Sequence, residues 1–240
     1  MKNKKLAFTL AEILITLGVI GVIAAMTLPT LIKKYQQHET VNRLKQTYSI
    51  LYNAVRRSES ENGLLETWEL PNVERPTGTN GYNYGKSFFE QYLKSYIIVA
   101  KECKYSSDNC WGNSYKFTNG NTYTTNNHEP YNFIYTVVLS NGAVAGFWAK
   151  ESLVEVYIDI NGRKGPNRYG KDWFDIVIVK SPDSTSVVAT GKSGVYMYAQ
   201  GISRSRLITD GFGCSTLGIG LICGALIMHD GWKISEDYPW

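Results

Sequence analysis

Three groups of residues have the types and spacing to do chemistry. The first is Glu12, the one carboxylate in an otherwise apolar run over residues 7–32. A charged side chain at the centre of a membrane-spanning helix costs about 2.5–3.5 kcal/mol, so a chain that keeps one there is expected to use it. The second is the run from Asp159 to Phe174, the densest gathering of turn residues and oxygen-bearing side chains, with Asp159, Asn161, Asn167 and Asp172 in it. The third is the four cysteines, which fall as two close pairs, Cys103 with Cys110 and Cys214 with Cys223. An even count in an exported chain reads as two disulfides; sequence leaves three pairings open, and the local ones are expected here. In a reducing compartment the same residues are four buried thiols.

Other motifs lead nowhere. Thr190-Gly191-Lys192-Ser193 resembles the end of a phosphate-binding loop, but the leading glycine position is Ser186, and a strand-like stretch follows where a helix is required. Gly218-x-Gly220 lacks its third glycine and a βαβ setting. His38, His128 and His229 are scattered without ligand spacing, and Gly-x-Ser-x-Gly is absent from the sequence. No pair of carboxylates is marked as catalytic, and the expectation is a protein that is not an enzyme.

The elements that position these groups begin at the N-terminus. Lys2, Lys4 and Lys5 precede the apolar run, which is long enough to span a bilayer and would leave its lysine-rich side in the cytoplasm. A cleaved secretory signal with Ala24-Ala25 near the cut, followed by a secreted hydrolase, is one reading; an ordinary uncleaved anchor is another. Neither uses Glu12. Ala7-Phe8-Thr9-Leu10-Ala11-Glu12 followed by an apolar helix resembles the N-terminal signal of type IV pilins and type II secretion pseudopilins.

That resemblance implies a prepilin peptidase cutting between Ala7 and Phe8, and N-methylation of Phe8. It implies that Glu12 pairs with the terminal amine of a neighbouring subunit during assembly, and that the helix bends at Pro29. Proline removes one helical hydrogen bond and crowds the preceding turn, which gives the bend a physical cause as well. Ala7 departs from the family's usual glycine but keeps the position small. The implied partners are other pilin or pseudopilin subunits, met through this helix, together with the peptidase and the inner membrane. The head would lie in the periplasm or extracytoplasmic space.

The run around Asp159 also resembles a pseudopilin loop that holds calcium. Calcium takes six to eight oxygens, and Asp159, Asn161, Asn167 and Asp172 can supply four, with backbone carbonyls supplying others. Arg163 and Lys164 oppose this, and the alternative is two linked turns closing a hairpin with no metal required. The spacing is not that of an EF-hand.

Val41, Leu44, Tyr48, Leu51 and Val55 form one stripe of an amphipathic helix, and Gly63 is its stop. A helix over residues 8–62 is roughly 80 Å long at 1.5 Å per residue. Residues 86–98 carry Phe88, Phe89, Tyr92, Leu93 and Tyr96 at helical spacing and predict a second helix. From Tyr131 the period changes to strands, with Asn141-Gly142 and Asn161-Gly162 as turns. The expected class is α+β: a leader at 1–7, a long kinked helix at 8–62 whose part at 8–32 is apolar, and a pilin-like head at 63–240 built as an antiparallel meander over the helix.

The apolar run at 217–228 is too short to span a bilayer and reads as a buried element closed by a Cys214–Cys223 bridge. Trp232, Tyr238 and Trp240 read as a tail packed on the body, with an adhesive aromatic patch as the alternative. The formal charge of +4 drops to +1 without the three leading lysines, so no nucleic-acid partner is expected, and Arg204 with Arg206 is a weak pair for one. The reading as a whole is a structural subunit of a type II secretion pseudopilus or a type IV pilus. The alternative is a minor pilin acting as a surface adhesin that binds DNA or a glycan.

Overall fold

In the computed structural model, residues 9–104, 110–124, 133–181 and 188–240 are described. The chain divides into two compact units, Met1–Glu39 and Thr40–Trp240, and helix α1 (Leu10–Asn62) contributes to both.

The first unit is helical from Leu10 onward, and the helix continues unbroken through Pro29. Its most apolar window has a mean hydropathy of 2.2 and contains no buried residue, so the helix is long and apolar enough to cross a membrane. Length and composition suit an anchor and a signal sequence equally. Thr9 starts the helix. Its hydroxyl accepts the Glu12 N–H at 3.3 Å, while its own N–H and hydroxyl donate to Glu12 Oε2 at 2.8 and 2.9 Å. This is a capping box, which satisfies backbone donors that the first helical turn leaves open.

In the second unit, α1 buries Thr40, Val41, Leu44, Thr47, Leu51, Ala54, Val55 and Ser58. Those positions repeat at helical spacing and include four of the five stripe residues, with Tyr48 half-buried at the margin. Asn62 ends the helix and Gly63 follows at φ +83°, a left-handed conformation suited to glycine.

The partner surface is a six-stranded antiparallel sheet in the order β1-β4-β5-β6-β7-β8. Its strands are β1 (Val99–Cys103), β4 (Tyr135–Leu139), β5 (Val144–Ala149), β6 (Leu153–Asp159), β7 (Trp173–Val179) and β8 (Gly194–Met197). Strands β4 to β8 form a meander of neighbours in sequence, as alternation and the asparagine-glycine turns predict. A separate hairpin pairs β2 (Ser114–Lys116) with β3 (Thr122–Thr124).

One face of the sheet carries Val137, Ala145, Phe147, Val154, Val156, Ile158, Phe174, Ile176 and Ile178 into the core that also holds Leu44, Leu51 and Val55 of α1. The opposite face carries Trp173 and Val144 into a smaller aromatic cluster with Trp111, Tyr115 and Tyr169. Period-two alternation is what allows one sheet to serve two apolar layers.

The second helix is displaced from its expected place. Helix α2 spans Gly78–Phe88 and is followed by a wide helical turn over Phe89–Leu93, so the helical stretch starts and ends earlier than residues 86–98. Glycines that read as loop instead permit close packing: a Cβ on Gly85 would lie 2.2 Å from the Phe147 carbonyl oxygen. Tertiary contact overrides the low helix propensity of this stretch.

Both local disulfides are formed, Cys103–Cys110 and Cys214–Cys223. Helices α3 (Arg204–Thr209) and α4 (Cys223–His229) complete the unit, with Cys223 to Ile227 buried. The tail packs: Tyr238 is buried, and the Lys171 ammonium lies 4.5 Å from the Trp240 ring centre.

Candidate functional site

The oxygen-rich run connects the end of β6 to the start of β7. Asp159 is the last residue of β6 and pairs with Trp173 across the ladder, so the loop leaves and re-enters the sheet at one place. Asn167 has φ +51°, a left-handed conformation that asparagine tolerates better than most side chains. Gly170 has φ +77°, and a Cβ there would lie 2.8 Å from Cys223 Sγ and 2.9 Å from the Tyr238 hydroxyl. That hydroxyl donates to the Gly170 carbonyl, so the C-terminal tail closes over the loop.

The structure brings the four predicted residues together. Asp159 Oδ1 accepts the Asn161 N–H at 3.1 Å. The Asn161 amide nitrogen donates to the Gly165 carbonyl at 3.3 Å and to Asp172 Oδ1 at 3.4 Å. Asp172 Oδ2 accepts the Arg168 N–H at 3.3 Å, and the Asn167 N–H also supports this carboxylate. Tyr115, from β2, donates its hydroxyl to Asp159 Oδ2 at 2.6 Å. Its 44-residue distance in sequence left no local signal of this contact.

Both carboxylates are buried. Burial pushes Asp159 up to about 7, with the nearby Asp172 charge adding to it, and pushes Asp172 up to about 6. Two buried amide oxygens, Asn161 Oδ1 and Asn167 Oδ1, have no hydrogen-bond partner among the described residues. Buried polar atoms are ordinarily satisfied, so two orphan acceptors beside two buried carboxylates make a site rich in oxygen; against it, Arg168 Nε is likewise buried without a partner and the Lys171 charge acts on Asp172.

That donor set suits a hard divalent cation that binds oxygen. The hydrogen bonds within the loop equally support its turns. Among the described residues no group of three or more His, Cys, Asp or Glu side chains gathers for a metal, so the candidate rests on two carboxylates with two amides.

The other predicted residues fall elsewhere. Glu12 and Pro29 belong to the first unit, while Ala7 and Phe8 lie outside the described residues. The cysteine pairs border the loop on two sides. Cys103–Cys110 leads directly into Trp111 and Gly112, whose N–H donates to the Tyr115 hydroxyl at 3.0 Å, and Cys223 abuts Gly170.

Residues 30–240 match the model of a family of unknown function, DUF6613, so Glu12 and the apolar run before Thr30 precede the matched span. No curated protein and no solved structure matches the chain.

Proposed function

The chain belongs to that family of unknown function, and from this premise we propose that it is a non-enzymatic, prepilin-like structural subunit. In this reading the inner membrane holds the apolar helix, a prepilin peptidase cuts between Ala7 and Phe8, and Phe8 is N-methylated. The mature chain then joins other pilin or pseudopilin subunits in a type II secretion pseudopilus or a type IV pilus.

The observation that carries the reading is the first unit itself. A helix whose most apolar window has a mean hydropathy of 2.2 leaves that window uncovered, and the one carboxylate between residues 8 and 32 stands at its start. In a low-dielectric fibre core, the two Thr9 hydrogen bonds leave the Glu12 charge uncompensated, and the amine created at Phe8 is a cation that can come close to it. That pairing sets the register between subunits. The two disulfides support an oxidising, extracytoplasmic place for the second unit.

Calcium belongs to the same proposal. Asp159, Asn161, Asn167 and Asp172 would hold it, and its charge would offset the two buried carboxylates.

Mass spectrometry of the mature N-terminus tests the reading. The expected product starts with N-methylated Phe8 and runs through the rest of the chain. A start near Met26 would identify a cleaved secretory signal and sink the proposal.

A further inference from the structure

The C-terminal half of α1, residues 64–66 and the edge strand β8 enclose a groove of about 410 Å³ in the second unit, remote in sequence from the residues 159–172. Clefts that take small ligands run from about 300 to 1,000 Å³. Val55 is buried beneath it, and Tyr48, Tyr52 and Tyr196 supply aromatic walls.

The strand edge in this groove is already occupied. Tyr198 N–H donates to Asp175 O at 3.0 Å, and the β7–β8 register then turns the backbone groups of Val195 and Met197 toward the open side. Gln200 closes Met197 from both directions: its side-chain oxygen accepts the Met197 N–H at 3.1 Å, and its own N–H donates to Met197 O at 2.9 Å. Tyr48 donates its hydroxyl to Val195 O at 2.9 Å. An added β-strand needs those groups, so a strand-forming peptide is excluded.

The charges are committed as well. Arg56 holds Glu59 at 2.6 Å, Glu59 also accepts the Leu65 N–H at 3.1 Å, and Glu66 accepts the Ser193 hydroxyl. One arginine against two glutamates disfavours a phosphate or another polyanion. What is left to meet a ligand is the part of the Tyr52 ring that Tyr48 leaves open: the two rings stack with centres 6.1 Å apart, and Tyr52 remains 43% exposed. Beside it are the Val195 N–H, the Gln200 amide nitrogen and the Glu66 carboxylate, which also draws on its own backbone N–H. These polar groups line the same groove as a rigid amphipathic ring, which offers contact area at low entropic cost.

We propose that this groove binds a short, neutral oligosaccharide, with Tyr52 stacking on a sugar ring and the surrounding donors and acceptors reading its hydroxyls. The proposal does not depend on the assembly reading above.

The test is titration calorimetry of the full chain in a detergent without a sugar head group, using maltotetraose, cellotetraose and chitotetraose as probes. At least one should bind with Kd at or below about 1 mM. Tyr52→Ala should weaken that binding by about tenfold or more, equivalent to about 1.4 kcal/mol, while still unfolding in one cooperative transition, whereas Tyr52→Trp should retain it. The proposal is overturned if none of the three binds, if Tyr52→Ala binds as the parent does, or if a sulfated tetrasaccharide is preferred to all three.

Discussion

Thr9 and Glu12 hold each other at the start of α1: the threonine N–H and hydroxyl donate to one carboxylate oxygen at 2.8 and 2.9 Å, and the threonine oxygen accepts the Glu12 N–H. Glu12 therefore has a local structural task besides the assembly role proposed for it. Two substitutions separate the tasks. Glutamine can complete a capping box but has no charge, so Glu12→Gln should keep the helix and abolish incorporation into fibres. Glu12→Ala should lose both, because alanine neither carries the charge nor accepts the Thr9 N–H and hydroxyl. Processing should be intact in each. Helix content by circular dichroism and the sheared fibre fraction by immunoblot are the readouts, and normal fibres from Glu12→Gln would reduce the carboxylate to a cap.

If the loop between β6 and β7 holds calcium, the metal should stabilise the second unit by mass action. Calcium at a hundred times its Kd contributes about 2.7 kcal/mol, and a domain of this size gains about 2–4 °C in Tm per kcal/mol. Melting in excess calcium against melting in chelator should therefore differ by about 5–10 °C. Asp159→Asn should remove most of that difference. Magnesium should give little, because it demands a tighter octahedral shell. Equal Tm in calcium and chelator would leave the loop as a pair of turns.

The meander of β4 to β8 is legible in sequence because alternation and turn chemistry act over neighbouring residues. The same holds for the α1 stripe, whose partner surface needs no identification before the stripe is seen. Tyr115 is different: its bond to Asp159 depends on folding the β2–β3 hairpin against the far face of the sheet, and nothing near either residue encodes it. The loop's four oxygen-bearing residues were visible as a cluster, whereas the burial that raises their carboxylates and orphans their amides came only with the surrounding aromatic layer. Thr9-x-x-Glu12 carried a capping-box spacing that the apolar context obscured.

Helix α2 shows the same limit and yields a stability test. Its glycines weaken an isolated helix, yet Gly85 lets the backbone approach β5 so closely that a Cβ would fall 2.2 Å from the Phe147 carbonyl and 3.2 Å from Tyr135 Cβ. Backbone cannot move aside as a flexible side chain does. Gly85→Ala should cost about 1–3 kcal/mol in spite of the better propensity of alanine. Gly211→Ala, with nothing within 4 Å of its Cβ, should change stability by no more than about 0.5 kcal/mol. Denaturant midpoints of the two variants provide the comparison, and equal midpoints would show that α2 can shift away from β5.

Asp175 should give the second unit a pH-dependent penalty. It is buried on the sheet face opposite α1, opposite Tyr157 in the ladder, and the Trp173 indole N–H donates to it at 2.6 Å. Burial pushes its pKa well up, and the Glu155 carboxylate nearby raises it further. Glu155 itself is held by Lys150 at 2.5 Å and by the Tyr157 hydroxyl at 2.6 Å, so that cation is already engaged. An acid whose folded pKa exceeds its unfolded value contributes stability that is complete below about pH 4 and is lost as the pH rises through the folded pKa. Asp175→Asn keeps an oxygen for Trp173 and removes the charge. Its Tm should match the parent below about pH 4, exceed it at neutral pH and vary less in between. Measuring both proteins in chelator keeps the β6–β7 loop in one state, and Asp159 and Asp172 contribute equally to each curve. Parallel Tm profiles from acid to neutral pH would show that Asp175 remains ionised in the folded chain without penalty.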